Sequence, residues 1–319
     1  MDTSRDIVLA LGGNAISRED ESGDIPQQFE HTRRTAARLR ELVEQGYRLV
    51  VTHGNGPQVG SVLRRVEIAA DQVYRLPLDI CVADTQGGMG YMIALCLNNE
   101  FRRAGLPCSA AAVVTTVEVT ADDPAFREPS KPVGRVFDPQ EAKALAGRYG
   151  WTLAPSAAGK MRRVVPSPTP RRILEIEQIR TLVRAGVVVI AGGGGGVPVT
   201  VDADGVATGV EAVVDKDRTS ALLAIELDAP TFVIATGTRR VALGFRTPAE
   251  RFLDRLSVSD ARRWLEAGEF PAGSMGPKIE SAIRFLEQSR AADARVIICH
   301  LDTLSESIAG RDGTLLVRS

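Results

Sequence analysis

The 319-residue chain combines 44% hydrophobic with 25% charged residues, the composition of an ordinary soluble globular protein. Its 39 basic and 40 acidic residues leave a net charge of −1, which argues against a nucleic-acid-binding surface. The four cysteines, Cys81, Cys96, Cys108 and Cys299, form no Cys-x-x-Cys pair and favour free thiols in a reducing cytoplasm. The N-terminus lacks a signal-peptide pattern, and the longest apolar run, 187–201, is rich in glycine, so we expect no membrane span.

Apolar runs of strand length alternate with amphipathic segments of helical period along most of the chain. This alternation predicts a mainly parallel sheet covered by helices. The predicted strands are 7–11, 48–52, 110–115, 187–191, 231–235, 295–299 and 314–317. The predicted helices are 28–45, 59–70, 80–104, 140–149, 175–185, 217–227, 259–267 and 278–288.

Residues 118–170 differ from this pattern because prolines recur through them, with basic and polar residues between the prolines. This composition predicts an inserted, hairpin-rich lid that contains one helix rather than strands of the central sheet.

Three strand-like runs end in glycine-rich turns, at 12–15, 52–60 and 192–196. In parallel α/β sheets, ligands bind beyond the carboxyl ends of the strands, and glycines there let backbone N–H groups approach an anion closely. Pro57 stands where a helix would begin, so the free N–H groups of that helix should face the turn. One such turn is often only a tight connection, but the three together indicate phosphate chemistry, although neither the P-loop nor the dinucleotide spacing is present.

Lysine is scarce, since the chain has five lysines and 34 arginines. Three of the five, Lys131, Lys216 and Lys278, stand in short motifs of Gly, Pro and Asp. An ammonium group is a compact point charge that can follow one phosphate oxygen as it moves, which a planar guanidinium cannot do. Codon bias accounts for the low total, but we interpret these three positions as functional. We interpret Lys143 as incidental, and Lys160 as either a surface charge or a second lid contact to phosphate.

In combination, these motifs resemble those of carbamate kinases within the amino acid kinase family. The matching segments follow the family's order: 10–15, 52–60, 131–134, 165–168, 193–199, 211–217 and 273–278. The resemblance implies a three-layer αβα sandwich around a mainly parallel sheet, in a single domain over 1–319 that forms a homodimer. It also implies an N-terminal lobe for carbamate or carbamoyl phosphate (1–228, with the lid at 118–170) and a C-terminal nucleotide lobe (229–319).

The resemblance also implies roles for individual residues. Phosphoryl transfer depends on positioning and electrostatic stabilisation, and the catalytic group would be Lys131, Lys216, Asp217 and Lys278, with Asp217 holding two of the ammonium groups. Carbamoyl and phosphate oxygens would bind at Gly12, Gly13, Asn14, Gly54, Asn55 and Gly56. The nucleotide would contact Gly193, Gly194, Asp215, Thr236, Gly237, Met275 and Gly276. Mg²⁺ would enter with ATP or ADP, held mainly by the phosphates, so we expect no protein metal ligands.

The implied reaction is reversible phosphoryl transfer between ATP and carbamate, used in the cytoplasm to make ATP from carbamoyl phosphate and ADP in arginine catabolism. Carbamate is already an oxyanion and needs no general base, which suits a chain with three histidines. We expect His53, in the second glycine turn, to be structural rather than catalytic.

Two segments depart from the family pattern. Gly237 stands where these kinases usually have aspartate, in a loop beside the nucleotide. Gly87 and Gly88 replace a bulky pair, which indicates either a helix break or close packing against the substrate loop. Two alternatives therefore stay open: a kinase for another small carboxylate, and a catalytically silent protein that binds a metabolite or nucleotide.

Overall fold

Parallel strands of buried aliphatic residues form the centre of the protein, in a computed structural model that describes residues 5–13, 16, 21, 23–271 and 273–319. The strands are β1 (Asp6–Leu11), β2 (Arg48–His53), β3 (Ser109–Ala112), β4 (Thr116–Val119), β5 (Lys131–Phe137), β6 (Thr152–Pro155), β7 (Met161–Val165), β8 (Pro170–Ile173), β9 (Val187–Ile190), β10 (Val197–Val201), β11 (Ala207–Gly209), β12 (Thr231–Thr236), β13 (Val241–Leu243), β14 (Arg251–Leu253), β15 (Arg255–Ser257), β16 (Arg295–His300) and β17 (Thr314–Val317). Eight of them form one sheet in the order β15-β17-β16-β12-β1-β2-β9-β3. Every adjacent pair in it is parallel except β16 and β17, so the prediction of a mainly parallel sheet is confirmed.

Helices cover both faces of this sheet. The helices of the described residues are α1 (Ile25–Glu44), α2 (Gly56–Ala69), α3 (Leu78–Ala104), α4 (Pro139–Tyr149), α5 (Ile176–Arg184), α6 (Lys216–Glu226), α7 (Val258–Glu266), α8 (Met275–Gln288) and α9 (Leu304–Ile308). Of these, α2 and α4 contact strands of the separate sheet formed by β5, β6 and β7. Along β1, Ile7, Leu9 and Leu11 join the hydrophobic cluster of α1, α3 and α9. Val8 and Ala10 join the opposite cluster, with α5, α6, α7 and α8. Because successive strand side chains point to opposite faces, a strand buried on both sides must be apolar throughout. The three-layer αβα architecture is therefore confirmed.

The predicted strand 110–115 is too long, because β3 ends at Ala112. After Ala112, the side-chain amide of Gln86 makes the hydrogen bonds to the backbone that a neighbouring strand would otherwise make. The Thr115 N–H donates to Gln86 Oε1 at 2.9 Å, and Gln86 Nε2 donates to the Thr115 carbonyl at 3.1 Å. This amide satisfies the backbone where the chain leaves the central sheet, and β4 then begins a second sheet.

The region predicted to be a lid contains a three-stranded sheet, in the order β5-β7-β6, together with α4. At its two ends, β4 and β8 instead belong to a four-stranded sheet, in the order β11-β10-β4-β8. Ion pairs join the three-stranded sheet to the rest of the protein. Arg135 Nε lies 3.3 Å from Glu67 Oε2 on α2, and Arg163 Nη2 lies 2.6 Å from Glu211 Oε2. We call residues 131–165 the lid from here on.

Helix α3 continues without interruption through Gly87 and Gly88, so the expected break is absent. The alternative of close packing is also wrong, because both glycines are exposed and a Cβ at either would meet nothing within 4 Å. The close approach is at Gly90, where a Cβ would lie 2.6 Å from Ala112 Cβ on β3. By length and composition α3 could cross a membrane, but 56% of its most apolar window is buried in this fold, as in a core helix.

These glycines give a matched pair of substitutions. We expect Gly90→Ala to lower the free energy of unfolding by roughly 1–3 kcal/mol, because the new methyl group would overlap Ala112. Gly87→Ala should raise it by roughly 0.5–1 kcal/mol, because alanine is the better helix former and the site is open. Urea unfolding followed by circular dichroism measures both. Shifts of the same sign would contradict the packing described for Gly90.

Candidate active site

A buried carboxylate lies between two ammonium groups where α6 and α8 begin. Asp217 Oδ1 accepts from Lys216 Nζ at 2.5 Å, and Oδ2 accepts from Lys278 Nζ at 2.9 Å. Burial raises the pKa of Asp217, but the charges and hydrogen bonds of the two ammonium groups outweigh it and hold the pKa well below its usual range. The carboxylate is therefore ionised, and it fixes two charges that come from distant parts of the sequence.

Asp215 connects this arrangement to the lid. Its Oδ1 accepts from the backbone N–H of Asp217 at 2.9 Å, which caps the N-terminus of α6. Its Oδ2 accepts from Lys131 Nζ at 3.0 Å, and Lys131 is the first residue of β5. The lid lysine and the α6 lysine are thus held by carboxylates two residues apart. The carboxylate of Asp215 lies between α6 and the lid in the cleft described next, and its contact with the nucleotide stays a prediction.

A cleft of about 720 Å³ collects most of the predicted phosphoryl site, and we call it the phosphoryl cleft. Its walls include Gly54, Asn55, Gly56, Lys131, Gly194, Asp215, Lys216, Asp217 and Lys278. Gly56 is the first residue of α2, so the N-terminus of that helix faces the cleft and favours a bound anion. Asn55 is oriented by a hydrogen bond of 2.9 Å from its Nδ2 to Thr85 Oγ1.

A second cavity of about 540 Å³ adjoins the cleft. Its walls include Gly12, Gly13, Thr236, Gly237, Thr238, Arg240, Phe245 and Met275. Gly273, Ser274 and Lys278 line both spaces, so Lys278 stands in the shared wall. Of the residues predicted to contact nucleotide, Thr236, Gly237 and Met275 line this cavity, and Gly276 is buried beside Met275 with its N–H bonded to the Pro271 carbonyl.

Gly12 and Gly13 follow β1, and Gly13 approaches Gly54 of the phosphoryl cleft. Both line the second cavity, and a Cβ at Gly54 would lie 3.7 Å from the Gly13 nitrogen. Asn14, predicted beside them, lies outside the described residues.

Gly193 and Gly194 do not line the second cavity, Gly194 lines the phosphoryl cleft, and their contact with the nucleotide stays a prediction. A Cβ at Gly193 would lie 2.4 Å from His53 Nε2, and one at Gly194 would lie 2.1 Å from Asn55 Nδ2. These glycines follow β9, which is separated from β12 and Thr236 by β2 and β1. Bare backbone is therefore needed here so that the glycine run can pack against the turn after β2.

His53 is buried, and its Nδ1–H donates to the Gly54 carbonyl at 3.1 Å. Burial, reinforced by the nearby charge of Lys216, lowers the pKa of His53 to about 4, although the hydrogen bond to Gly54 acts in the opposite direction. The imidazole is therefore neutral at pH 7 and supports the shape of the turn through its hydrogen bond to Gly54.

Sequence reasoning missed two arginine features. Arg162, on the lid, lines the phosphoryl cleft. Arg240 lines the second cavity and, with Arg239, binds Asp312 at 3.2 and 2.8 Å, which anchors the loop after Gly237. Lys160 is a surface charge in this structure. Its Nζ lies 2.6 Å from Asp138 Oδ1 on an exposed part of the lid.

Among the described residues, no group of three or more His, Cys, Asp or Glu side chains could hold a metal ion. The cleft carboxylates, Asp215 and Asp217, are bonded to lysines. Such a donor set suits an Mg²⁺ ion that is held by nucleotide phosphates and keeps several waters, rather than one in a cage of protein ligands.

Comparison with known proteins agrees with this geometry. The family model described as the amino acid kinase family matches residues 6–300, and the chain belongs to that family. Within it, the chain is similar to carbamate kinases, as the motifs indicated.

Carbamate kinase from Pyrococcus furiosus is 43% identical over 311 residues, covering 97% of this chain and 98% of that protein. The carbamate kinase-like protein YahI of Escherichia coli is 42% identical and covers 98% of this chain and 99% of its own length. The solved structure of carbamate kinase from Giardia lamblia bound to AMP-PNP has a TM-score of 0.93 and 36% identity, with 99% of each chain covered.

Replacing Asp217 tests the ionic arrangement through stability. Because folding lowers the pKa of Asp217, its ionised carboxylate stabilises the fold above its unfolded value near 3.8, and that contribution is lost as the pH falls through the folded pKa. Asp217→Asn should therefore destabilise the protein at pH 7 by about 3 kcal/mol, the usual cost of leaving buried charges without their partner. The difference in stability between wild type and Asp217→Asn, measured by thermal unfolding, should become smaller as the pH falls below 4. A difference that stays constant from pH 7 to pH 3 would exclude a stabilising role of the ionised carboxylate.

Proposed function

We propose that this protein catalyses phosphoryl transfer between ATP and carbamate. The observation that carries the proposal is the position of Lys278 in the wall between the two cavities, held with Lys216 by one carboxylate. A nucleotide in the second cavity and a small acceptor in the phosphoryl cleft would meet at these ammonium groups.

Electrostatic stabilisation is the main task at such a site. A phosphoryl group in transit spreads negative charge over its oxygens, and ammonium groups already in place stabilise that charge without reorganisation. Lys216 and Lys278 supply this from the core, and Lys131 adds a third charge from the lid. Asp217 restrains two of these charges but does not cancel both, so the group keeps a net attraction for the phosphoryl oxygens.

The acceptor needs positioning rather than activation. Carbamate carries a nucleophilic oxyanion at neutral pH, and the neutral, buried His53 is held by Gly54. The backbone of 54–56 and the N-terminus of α2 would hold the carbamoyl end. A docked lid would exclude water, which limits hydrolysis of carbamoyl phosphate.

We infer that Mg²⁺ enters with ATP or ADP and is held mainly by the nucleotide phosphates, where it neutralises phosphate charge. We further infer that the reaction runs toward ATP from carbamoyl phosphate and ADP, in the cytoplasm, as part of arginine catabolism, and that the protein is a homodimer. The buried free thiols of Cys81, Cys96 and Cys299 support a reducing compartment.

The test is a coupled assay in which purified protein is mixed with carbamoyl phosphate, ADP and Mg²⁺ and ATP formation is followed. Formation above the rate of spontaneous carbamoyl phosphate decay supports the proposal. If no ATP forms in this assay but ADP is released from ATP in the presence of another small carboxylate, the acceptor is that carboxylate and not carbamate. Calorimetric binding of nucleotide without turnover on any acceptor would favour a silent binding protein.

Lysine replacement in the same assay tests whether a point charge is needed. Lys216→Arg should lower kcat by roughly 100-fold or more, because a planar guanidinium cannot keep both the bond to Asp217 and its contact with a moving phosphoryl group. Lys143→Arg is the control, since Lys143 is exposed on α4, and it should leave kcat unchanged. Equal activity of the two variants would refute the functional interpretation of lysine scarcity.

A further inference from the structure

Arg162 is a lid cation fixed against the backbone inside the phosphoryl cleft. It lies on β7, and both its Nε and Nη2 donate to the Gly134 carbonyl, at 3.1 and 2.9 Å. Two N–H groups on one edge of the guanidinium are thus used on a neutral acceptor. A guanidinium carries five N–H groups in a rigid fork, so the remaining three, which include both on Nη1, are available for a ligand.

The other lid cations near the site are bound to carboxylates. Lys131 lies 3.0 Å from Asp215, and Arg163 lies 2.6 Å from Glu211. In the part of the chain that the structure describes, Arg162 has no carboxylate partner and its contacts are to the Gly134 carbonyl. Its full positive charge therefore acts on the contents of the cleft.

Its anchor places Arg162 at the α2 side of the cleft. A Cβ at Gly134 would lie 3.9 Å from Leu63 Cδ1, and a Cβ at Gly60 would lie 3.9 Å from the Gly134 Cα, so this part of the lid rests on the first turns of α2. Those turns follow directly from 54–56. Lys278 instead lines the part of the cleft that borders the second cavity.

We infer that Arg162 binds the planar carboxylate of the acceptor, an inference that rests on the proposed function of this cleft. A fork of coplanar N–H donors matches two coplanar oxygens, whereas the lysine ammonium groups suit the phosphoryl oxygens. When carbamoyl phosphate gives up its phosphoryl group to ADP, the bond from phosphorus to the bridging oxygen breaks and its electron pair stays on the carbamate. Arg162 binds that developing carboxylate, while the lysines accompany the phosphoryl group.

Arg162→Ala tests this division. The KM for carbamoyl phosphate should rise about tenfold or more, since a charge-assisted hydrogen-bonded pair is lost. The KM for ADP and the inhibition constant of inorganic phosphate should stay within twofold of wild type. Lys160→Ala removes a charge of the same sign from the exposed part of the lid and should change none of these constants. Added ethylguanidinium should partly restore Arg162→Ala, and a purely structural role would not respond to it.

Arg162→Lys covers the case in which the alanine variant does not fold, because it keeps the charge and one bond to Gly134 but lacks the fork. We expect it to raise the KM for carbamoyl phosphate severalfold. An unchanged KM in the variant that folds would overturn the inference, and so would an equal loss of inorganic phosphate binding, which would assign Arg162 to the phosphoryl group. Wild type is measured first, and its failure to make ATP would count against the proposed function instead.

Discussion

One carboxylate shared by two ammonium groups is the constraint on which the site depends. Burying Asp217 would be unfavourable without partners, and burying Lys216 and Lys278 without it would be equally so. The three charges are therefore tolerated only together, which fixes the starts of α6 and α8 relative to each other. Since Lys131 is matched by Asp215, the unbalanced charge of the cleft rests with this group and Arg162, and it is positive. An oxyanion is the complement to that excess.

The central sheet brings these charges to the glycine turns. Strands β12, β1 and β2 are adjacent and parallel, so the turns after β1 and β2 and the loop after β12 meet at one edge. The glycine run after β9 also packs closely against the turn after β2. Because Gly193 and Gly194 have no side chains, their backbone can pack directly against the side chains of His53 and Asn55. Glycine in this fold thus serves both to expose N–H groups and to let one turn pack on another.

The sequence was sufficient to predict the features that depend on residues close together along the chain. Apolar runs and amphipathic periods gave the strands and helices of the three layers, and residue type gave the three lysines. The errors concern properties set by neighbours that are distant in sequence. The end of β3 depends on Gln86, a side chain of α3. The close approach at Gly90, rather than at Gly87 or Gly88, depends on Ala112 of β3. Arg162 could not be distinguished among 34 arginines, because only the fold of the lid shows that it lines the phosphoryl cleft with its guanidinium bonded to the Gly134 carbonyl.

The wall shared by the two cavities bears on the order of chemical events. Lys278 lines both spaces, and the imidazole of His53, which lies near Lys216, is neutral and hydrogen-bonded to Gly54. Donor and acceptor bound in this way would face each other directly, since the two carboxylates described in the cleft, Asp215 and Asp217, are bonded to lysines rather than free to carry the phosphoryl group. Transfer then requires a ternary complex and proceeds in one displacement. Initial rates would follow a sequential rather than a ping-pong law, and the configuration at phosphorus would be inverted.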